Sequence, residues 1–289
     1  MNIKKQLAII LILALALQLL PLNTFARSAQ IDTGSGGEIA EVPAEMDLGA
    51  ANDPVPAPVL ETENSSAYVV AEDPSLRSAS EKHFRLSNGS FAAVDYGETV
   101  HYQDEAGTWQ DVDNTLFLQK ADTASSVYRS RNGDEVRSFA AVVDETGYLF
   151  TAESGKTAVA FYAQDTSHDG KERSDAVTAV VENPAAPTRS EEEFQALPLA
   201  EQVELRTLTS GLSYSDLWEK TDLAYQIHGL DVKESIVLNG PEAANAYAFR
   251  MELDGLSAVL TEEGGISLTD PKGEEVFYIP APYMEDAKG

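Results

Sequence analysis

Short runs rich in Val, Phe and Tyr, spaced by turn-forming residues, fill most of the chain from residue 82 onward. Runs of this length and composition are typical of β-strands, and their regular spacing is typical of all-β proteins. In the first region they predict strands at residues 83–86, 90–96, 137–143, 148–152, 157–163 and 176–181. In the second region they predict strands at residues 212–217, 223–228, 232–238, 246–253, 257–261, 265–268 and 275–279. The pattern therefore predicts an all-β fold, mainly antiparallel hairpins in a β-sandwich-like arrangement.

An Asp-x-x-Gly turn recurs along the chain, at residues 104–107, 144–147, 270–273 and 286–289. Asp can hydrogen-bond within its own turn, and Gly accepts the left-handed conformation that closes it. Folding back at residues 104–107 would place Tyr102 opposite Trp109, an aromatic cross-strand pair. A further hairpin is predicted around Asn88 and Gly89, a favoured two-residue turn.

A helical connector is predicted between two β domains. Ser190 and Glu193 have the spacing of a capping box, and Pro198 limits or divides the helix that follows. We expect one or two short helical turns between residues 190 and 208. The predicted division is a first β domain at residues 81–185, a connector at 186–209 and a second β domain at 210–289. The last Asp-x-x-Gly turn has no strand after it, which predicts that the second domain is truncated and that a longer polypeptide continues.

The first 26 residues have the features of a secretory signal peptide. Lys4 and Lys5 precede an apolar run, and a small-residue cleavage site ends at Ala26. Residues 27–80 are acidic, Pro-rich and poor in large apolar side chains, which predicts a disordered spacer. The sequence thus predicts export, with no stable membrane span after the signal is cleaved.

The charge and the cysteine content narrow the classes of partner. The formal net charge is -28 and falls to -30 once the two lysines of the signal are removed. A chain this acidic is repelled by nucleic acid and by anionic lipid. Neither is therefore expected as a partner. The chain has no cysteine, which excludes disulfides, thiolate metal sites and a cysteine nucleophile.

Candidate binding residues cluster near the first Asp-x-x-Gly turn. Asp104, Asp111 and Asp113 could supply oxygen ligands to calcium, the one cofactor considered, although Asp at a turn needs no metal. Tyr102, Trp109 and Trp218 could stack on a sugar ring, although aromatic residues of β-proteins are more often core. An exposed Trp109 ring beside Tyr102 would favour glycan binding, and a buried pair would favour a scaffold.

Catalytic motifs do not stand out. The four histidines lie in different segments without metal-binding spacing, and no nucleophile elbow or P-loop is present. The 48 carboxylates make a glycosidase-like pair uninformative unless two of them face each other at hydrolase separation. The sequence therefore predicts no enzyme, with a glycosidase-like hydrolase as the enzymatic alternative.

Several stretches of residues 82–289 occur in the order and spacing of one known family. They are Phe84-Arg-Leu-Ser-Asn-Gly-Ser-Phe, Val100-His-Tyr-Gln-Asp-Glu-Ala-Gly-Thr-Trp-Gln-Asp-Val-Asp-Asn-Thr-Leu, Leu212-Ser-Tyr-Ser-Asp-Leu, Thr221-Asp-Leu-Ala-Tyr, Lys233-Glu-Ser-Ile-Val-Leu and Val276-Phe-Tyr-Ile-Pro-Ala-Pro-Tyr-Met. In these stretches the chain resembles the N-terminal region of secreted RHS/YD-repeat proteins of Firmicutes, of the wall-associated and DNRLRE-domain-containing type.

The resemblance implies a non-catalytic N-terminal segment, secreted or held in the cell wall. Its role would be surface display, contact-dependent interaction or toxin delivery. Its partners would be the cell wall or a neighbouring-cell surface, and the downstream repeats of the same polypeptide. The alternative of another class is a carbohydrate- or peptidoglycan-binding module that uses the aromatic residues named above.

Overall fold

The computed structural model describes residues 6–11, 67–120, 126–164, 176–184 and 188–285. Most of the predicted signal peptide and most of the predicted spacer lie outside these residues, as does the turn at 286–289. The prediction of disorder is wrong for residues 67–80, where Val69–Glu72 form a strand that pairs with Glu81–Leu86 and Pro74–Leu76 form a 3-10 helix. Residues 6–11 form a strand that pairs antiparallel with Tyr247–Asp254. A strand in this position does not test the predicted cleavage after Ala26.

In the described part of the chain, 21 strands are joined by two short α-helices and one 3-10 helix, Pro74–Leu76. The helices are α1 (Glu191–Gln195) and α2 (Leu199–Gln202). The strands are β1 (Gln6–Leu11), β2 (Val69–Glu72), β3 (Glu81–Leu86), β4 (Phe91–Asp95), β5 (His101–Gln103), β6 (Trp109–Asp111), β7 (Phe117–Gln119), β8 (Val127–Arg129), β9 (Arg137–Ala140), β10 (Val142–Val143), β11 (Tyr148–Ser154), β12 (Thr157–Gln164), β13 (Val177–Thr178), β14 (Val180–Glu182), β15 (Thr209–Trp218), β16 (Thr221–His228), β17 (Asp231–Leu238), β18 (Tyr247–Asp254), β19 (Ser257–Leu260), β20 (Ile266–Thr269) and β21 (Glu275–Ile279).

The predicted all-β fold is confirmed, because every pair of neighbouring strands is antiparallel and the helices are short. The predicted helical turns are also present. Ser190 caps α1 with the expected capping box to Glu193, and α2 begins directly after Pro198.

Two sheets pack face to face around the larger core. One has the strand order β1-β18-β12-β11-β9-β8-β7, and the other has the order β14-β15-β16-β17. The Tyr225 ring of the second sheet lies 5.3 Å from Phe139 and 5.1 Å from Phe150 of the first. The Tyr214 hydroxyl donates to the carbonyl oxygen of Ala140 at 2.7 Å. These contacts make a sandwich, because apolar side chains from both inner faces fill the space between the sheets.

A smaller, second core lies under β2–β4 and the β5–β6 hairpin, and the connector completes it. Val203 and Leu208 of the connector are buried there with Phe84, Val94 and Val112. The predicted connector is therefore a structural part of this core.

Polar contacts of the connector to the same core reinforce it. The Gln202 side chain accepts a hydrogen bond from the Val69 backbone N–H at 2.8 Å. The Tyr96 hydroxyl donates to the Val203 carbonyl at 2.7 Å. Such buried side-chain bonds fix α2 against the sheet, since leaving either group unpaired would cost stability.

Strand pairing crosses the predicted boundary between two β domains. β18 pairs with β12, and β14 pairs with β15, so residues from both sides of the connector share each sandwich sheet. The predicted division at residues 186–209 thus differs from the sheet topology. These pairings join residues far apart in sequence, which local patterns cannot show.

The hairpin turns contain one residue more than the sequence suggests. In the turn after β5, the Gly107 N–H donates to the Asp104 carbonyl and the Asp104 N–H donates to the Thr108 carbonyl. Three residues therefore form the loop, with Gly107 at a φ of 75°. The extra residue shifts the register by one, so Trp109 lies opposite Gln103. The predicted Tyr102–Trp109 cross-strand pair is wrong.

The same loop closes the hairpin between β3 and β4. The Gly89 N–H donates to the Leu86 carbonyl, and the Leu86 N–H donates to the Ser90 carbonyl. The hairpin is present as predicted, but its turn is a three-residue loop that includes Asn88. Gly89 has a φ of 84°, the left-handed conformation that this loop type requires of its last residue.

Candidate functional site

The three aromatic residues considered for sugar stacking lie in different environments. Trp218 is buried, and its ring packs edge-on against Tyr247 at 4.9 Å and Phe249 at 6.0 Å. Trp109 is half-buried and lies 6.5 Å from the His101 ring. Tyr102 points to the other face of its hairpin, where it packs against the second core. The structure brings no two of these predicted residues together, so the glycan-binding prediction has no shared platform.

The three acids considered for calcium are likewise held by separate partners. Asp104 accepts from the Ala106 and Thr108 backbone and from the Gln110 side chain, at 2.8 to 3.0 Å. The Thr108 and Gln110 hydrogen bonds hold the pKa of Asp104 below its ordinary value. Asp113 accepts from the Thr115 N–H at 2.9 Å. Among the residues that the structure describes, Asp111 alone of the three lies close to other potential ligands, so the predicted set Asp104, Asp111 and Asp113 does not form one group.

Asp111 belongs to a group of charged side chains at the edge of the second core. Glu72, Arg77, Lys82, His101 and Asp111 form this group, called the Asp111 cluster below. They come from β2, from the residue that ends the 3-10 helix, and from β3, β5 and β6. The cluster thus depends on tertiary structure, because five separate segments converge there.

The 3-10 helix positions the Arg77 side chain within the cluster. Asp73 caps this helix by accepting from the Ser75 N–H at 3.1 Å. The turn brings the Arg77 guanidinium between two carboxylates, with Nε 2.5 Å from Glu72 Oε1 and Nη2 2.9 Å from Asp111 Oδ2. The Glu72 hydrogen bond raises the pKa of Arg77. Arg77 therefore fixes one oxygen of each carboxylate.

Lys82 takes the remaining oxygen of each carboxylate. Its Nζ contacts Asp111 Oδ1 directly and lies 3.5 Å from Glu72 Oε2. Although partial burial acts to raise the pKa of Asp111, the Lys82 hydrogen bond and the charges of Lys82 and Arg77 lower it overall. Two cations and two carboxylates thus balance each other.

His101 is the remaining member of the Asp111 cluster and is completely buried. Its Nδ1 lies 2.6 Å from the Ser78 carbonyl oxygen. Its Nε2 faces Asp111 Oδ1 at 3.4 Å. Burial lowers the pKa of His101, and the charges of Lys82 and Arg77 act in the same direction. The imidazole is therefore neutral near pH 7.

A cleft of about 460 Å³ lies on another side of the second core. Asp95, Glu98, His228 and Asp231 line it, and His228 pairs with Glu98. The Glu98 hydrogen bond raises the pKa of His228 despite the opposing effect of partial burial. This pair joins the loop after β4 to the end of β16.

The His228–Glu98 pair is expected to stabilise the fold more at low pH than at high pH. Because the folded-state pKa of His228 lies above its ordinary 6.5, the contribution is complete below pH 6.5 and is lost as pH rises through the folded pKa. His228→Gln should therefore lower the free energy of unfolding at pH 5.5 by less than about 1 kcal/mol, because the pair is partly exposed, and the urea midpoint should fall with it. At pH 8.5 the two proteins should unfold at the same urea concentration, and an unchanged gap there would contradict the assignment.

Three curated proteins match almost the whole chain. The tRNA(Glu)-specific nuclease WapA of Bacillus subtilis subsp. natto (strain BEST195) is 23% identical over 99% of this chain. The tRNA nuclease WapA of Bacillus subtilis (strain 168) is 22% identical over 99% of the chain. The tRNA3(Ser)-specific nuclease WapA of Bacillus spizizenii is 23% identical over the same share. The chain spans only 11% of the length of each of these relatives.

No protein-family model matches the chain, and no solved structure matches it. The similarity is thus to wall-associated, toxin-like proteins of the WapA type. It corrects the resemblance drawn from the sequence, since nothing found supports a DNRLRE-domain protein. No described helix is long and apolar enough to span a membrane.

The prediction that the protein is no enzyme is also corrected. All three relatives are named as tRNA nucleases, so the comparisons do not support that prediction. The prediction rested on the lack of catalytic motifs in this sequence. This sequence spans 11% of the length of those relatives.

Sequence analysis missed four members of the Asp111 cluster. Glu72, Arg77 and Lys82 are ordinary charged residues in sequence, and Glu72 and Arg77 lie within the predicted spacer. His101 was noted only as one of four scattered histidines. One local indication pointed to a contact between His101 and Asp111. His101 lies in the first strand of a hairpin, and Asp111 lies directly opposite it in the second strand.

Proposed function

We propose that this chain is the wall-presented, amino-terminal region of a WapA-type toxin polypeptide whose activity is tRNA cleavage. The observation that carries the proposal is the similarity over 99% of the chain to three tRNA nucleases of this type. Independent support comes from the export signal predicted at residues 1–26.

The fold suits a presenting role. Two cores are joined into one body by strand pairing and by the connector, so the region can hold its shape without disulfides. Its net charge of -28 disfavours contact with RNA and with anionic lipid. Its proposed partners are the cell wall and the surface of a neighbouring cell, and tRNA is the proposed substrate of the whole polypeptide.

Cell fractionation tests the presenting role. An epitope-tagged chain produced in a Gram-positive host should be recovered from the wall after muramidase digestion and from the medium. Its matched control carries Leu13→Arg and Leu15→Arg in the apolar run of the predicted signal, and it should remain inside the cell. Retention of the unmutated chain in the cytoplasm would refute the presenting role.

The nuclease activity has its own test. The complete secreted gene product is incubated with total cellular RNA, and the RNA is resolved on a denaturing gel. Discrete tRNA fragments are expected within the time that leaves ribosomal RNA intact. If tRNA stays intact while the protein is found in the wall, the toxin assignment fails and the presenting role stands.

A further inference from the structure

Three side chains of the Asp111 cluster are of the types that ligate metal ions. One ligand atom each from Glu72, His101 and Asp111 lies within 4.8 Å of the other two. The residues lie on β2, β5 and β6, so strand pairing holds them in place. Acids and a histidine this close can also form an ion-pair cluster without a metal. The hydrogen bonding of each potential ligand atom distinguishes a metal site from such a cluster.

The imidazole of His101 has the tautomer that a metal ligand needs. Its Nδ1 lies 2.6 Å from the Ser78 carbonyl oxygen. A carbonyl only accepts hydrogen bonds, so Nδ1 carries a proton, and in the neutral imidazole the lone pair is on Nε2. Metal-bound histidines are ordinarily oriented in this way, by donating the other ring N–H to a carbonyl or carboxylate.

The lone pair of Nε2 has no hydrogen-bond donor among the residues that the structure describes. It is buried and faces Asp111 Oδ1 at 3.4 Å. In the neutral imidazole this nitrogen and the carboxylate oxygen are both acceptors, and such a pair is unfavourable unless a cation lies beside both. The Lys82 ammonium contacts Asp111 Oδ1 but makes no hydrogen bond to Nε2. This unpartnered nitrogen, independent of the acids around it, points to a cation at the position between them.

The two carboxylates are oriented toward that position. Arg77 holds one oxygen of each, which leaves Glu72 Oε2 and Asp111 Oδ1 directed at the Lys82 ammonium. Arg77 thus orients both carboxylates by holding their other oxygens, Glu72 Oε1 and Asp111 Oδ2. Lys82 contacts Glu72 Oε2 and Asp111 Oδ1, the two oxygens that would bind a metal. The side chain of Asp111 is 47% exposed, which gives an ion a route from solvent.

We propose that Glu72, His101 and Asp111 form a site for a divalent transition-metal ion, and that the Lys82 ammonium competes with the metal for the two carboxylates. One imidazole nitrogen and two carboxylate oxygens suit zinc, with water as the fourth tetrahedral ligand. Calcium is a poor fit because it takes oxygen ligands, so the metal differs from the one predicted from Asp104, Asp111 and Asp113. The inference does not depend on the proposed function.

A gain of zinc binding on removal of the competing ammonium is the decisive test. Lys82→Met should bind one zinc ion at least about tenfold more tightly than the unmutated chain, because Glu72 Oε2 and Asp111 Oδ1 lose the ammonium that contacts them. Zinc is titrated into the purified, chelator-treated chain, and bound metal is quantified after gel filtration. The visible spectrum of the cobalt(II) form reports nitrogen and oxygen ligation. A misfolded variant cannot mimic a gain of one tight, stoichiometric site.

The controls separate this site from zinc binding elsewhere. Adding His101→Gln to Lys82→Met should abolish the tight site, whereas adding His228→Gln, which alters the other histidine–carboxylate pair, should leave it intact. In the unmutated chain, Asp111→Asn should weaken zinc binding about 100-fold, and this partly exposed position should tolerate the change. Lack of stoichiometric zinc in Lys82→Met, or equal binding with and without His101, would overturn the proposal.

Discussion

Asn114→Leu is expected to destabilise the protein by about 3 kcal/mol, since each buried polar group left unpaired costs about 1–3 kcal/mol. The Asn114 amide is fully buried and donates to the carbonyl oxygens of Leu208 and Gly229, both at 2.7 Å. Its side-chain oxygen accepts from Asn132 Nδ2 at 2.8 Å. Leucine has a similar volume but no polar atom, so two carbonyls and one amide would lose their partner.

The position of Asn114 makes this loss unusually informative. Leu208 belongs to the second core, and the carbonyl of Gly229 follows the last strand residue of β16 in the sandwich. The Asn114 side chain therefore ties the connector to the four-stranded sheet of the sandwich. Urea unfolding followed by far-ultraviolet circular dichroism measures the loss, and a change in the slope of the transition would show that the two cores had begun to unfold separately.

Asn239→Leu is the matched control for Asn114→Leu. The Asn239 side chain is exposed and makes one hydrogen bond, to Asp222 at 2.9 Å. Water can replace that bond, so the expected change is within about 0.5 kcal/mol. If both leucine variants lost the same stability, the buried network around Asn114 would not be the cause.

Trp218→Ala is expected to cost about 4 kcal/mol, within the range for a large aromatic residue removed from a core. The ring is 1% exposed and contacts Tyr247 and Phe249 of β18, so it links the end of one sandwich sheet to the other. Alanine would leave a cavity that rigid strands on both sides cannot close. Thermal and urea unfolding by circular dichroism measure the loss without relying on tryptophan fluorescence.

Two further variants identify the cause of the loss at Trp218. Trp109→Ala removes the same side chain at a half-buried edge position and should cost less than about 2 kcal/mol. The Trp218 indole N–H has no hydrogen-bond partner within the described chain, so Trp218→Phe gives up ring volume but no hydrogen bond. An equal loss in the alanine variants of Trp109 and Trp218 would be inconsistent with Trp218 as the core residue.

Local chemistry was sufficient to predict most elements of the second region and several of the first, but not β2, the 3-10 helix, β7 or β8. The Ser190 capping box, the stop at Pro198 and the Asp-x-x-Gly turns each depend on residues within a few positions of one another. The strand β21 has the bounds predicted, and the other strands of the second region differ by at most three residues at either end. Such features are set by backbone preferences and turn hydrogen bonds, which the sequence specifies directly.

Tertiary structure alone decided the register, the shared sheets and the Asp111 cluster. One residue more in the loop places Trp109 opposite Gln103 and not, as predicted, opposite Tyr102. Because side chains alternate between the faces of a strand, Trp109 and Tyr102 then lie on opposite faces of the hairpin. The pairing of β12 with β18 and the meeting of Glu72, Lys82 and Asp111 join distant segments through burial and charge. The energy of such contacts belongs to pairs of residues and not to any one stretch, so the strands could be predicted from the sequence while their partners could not.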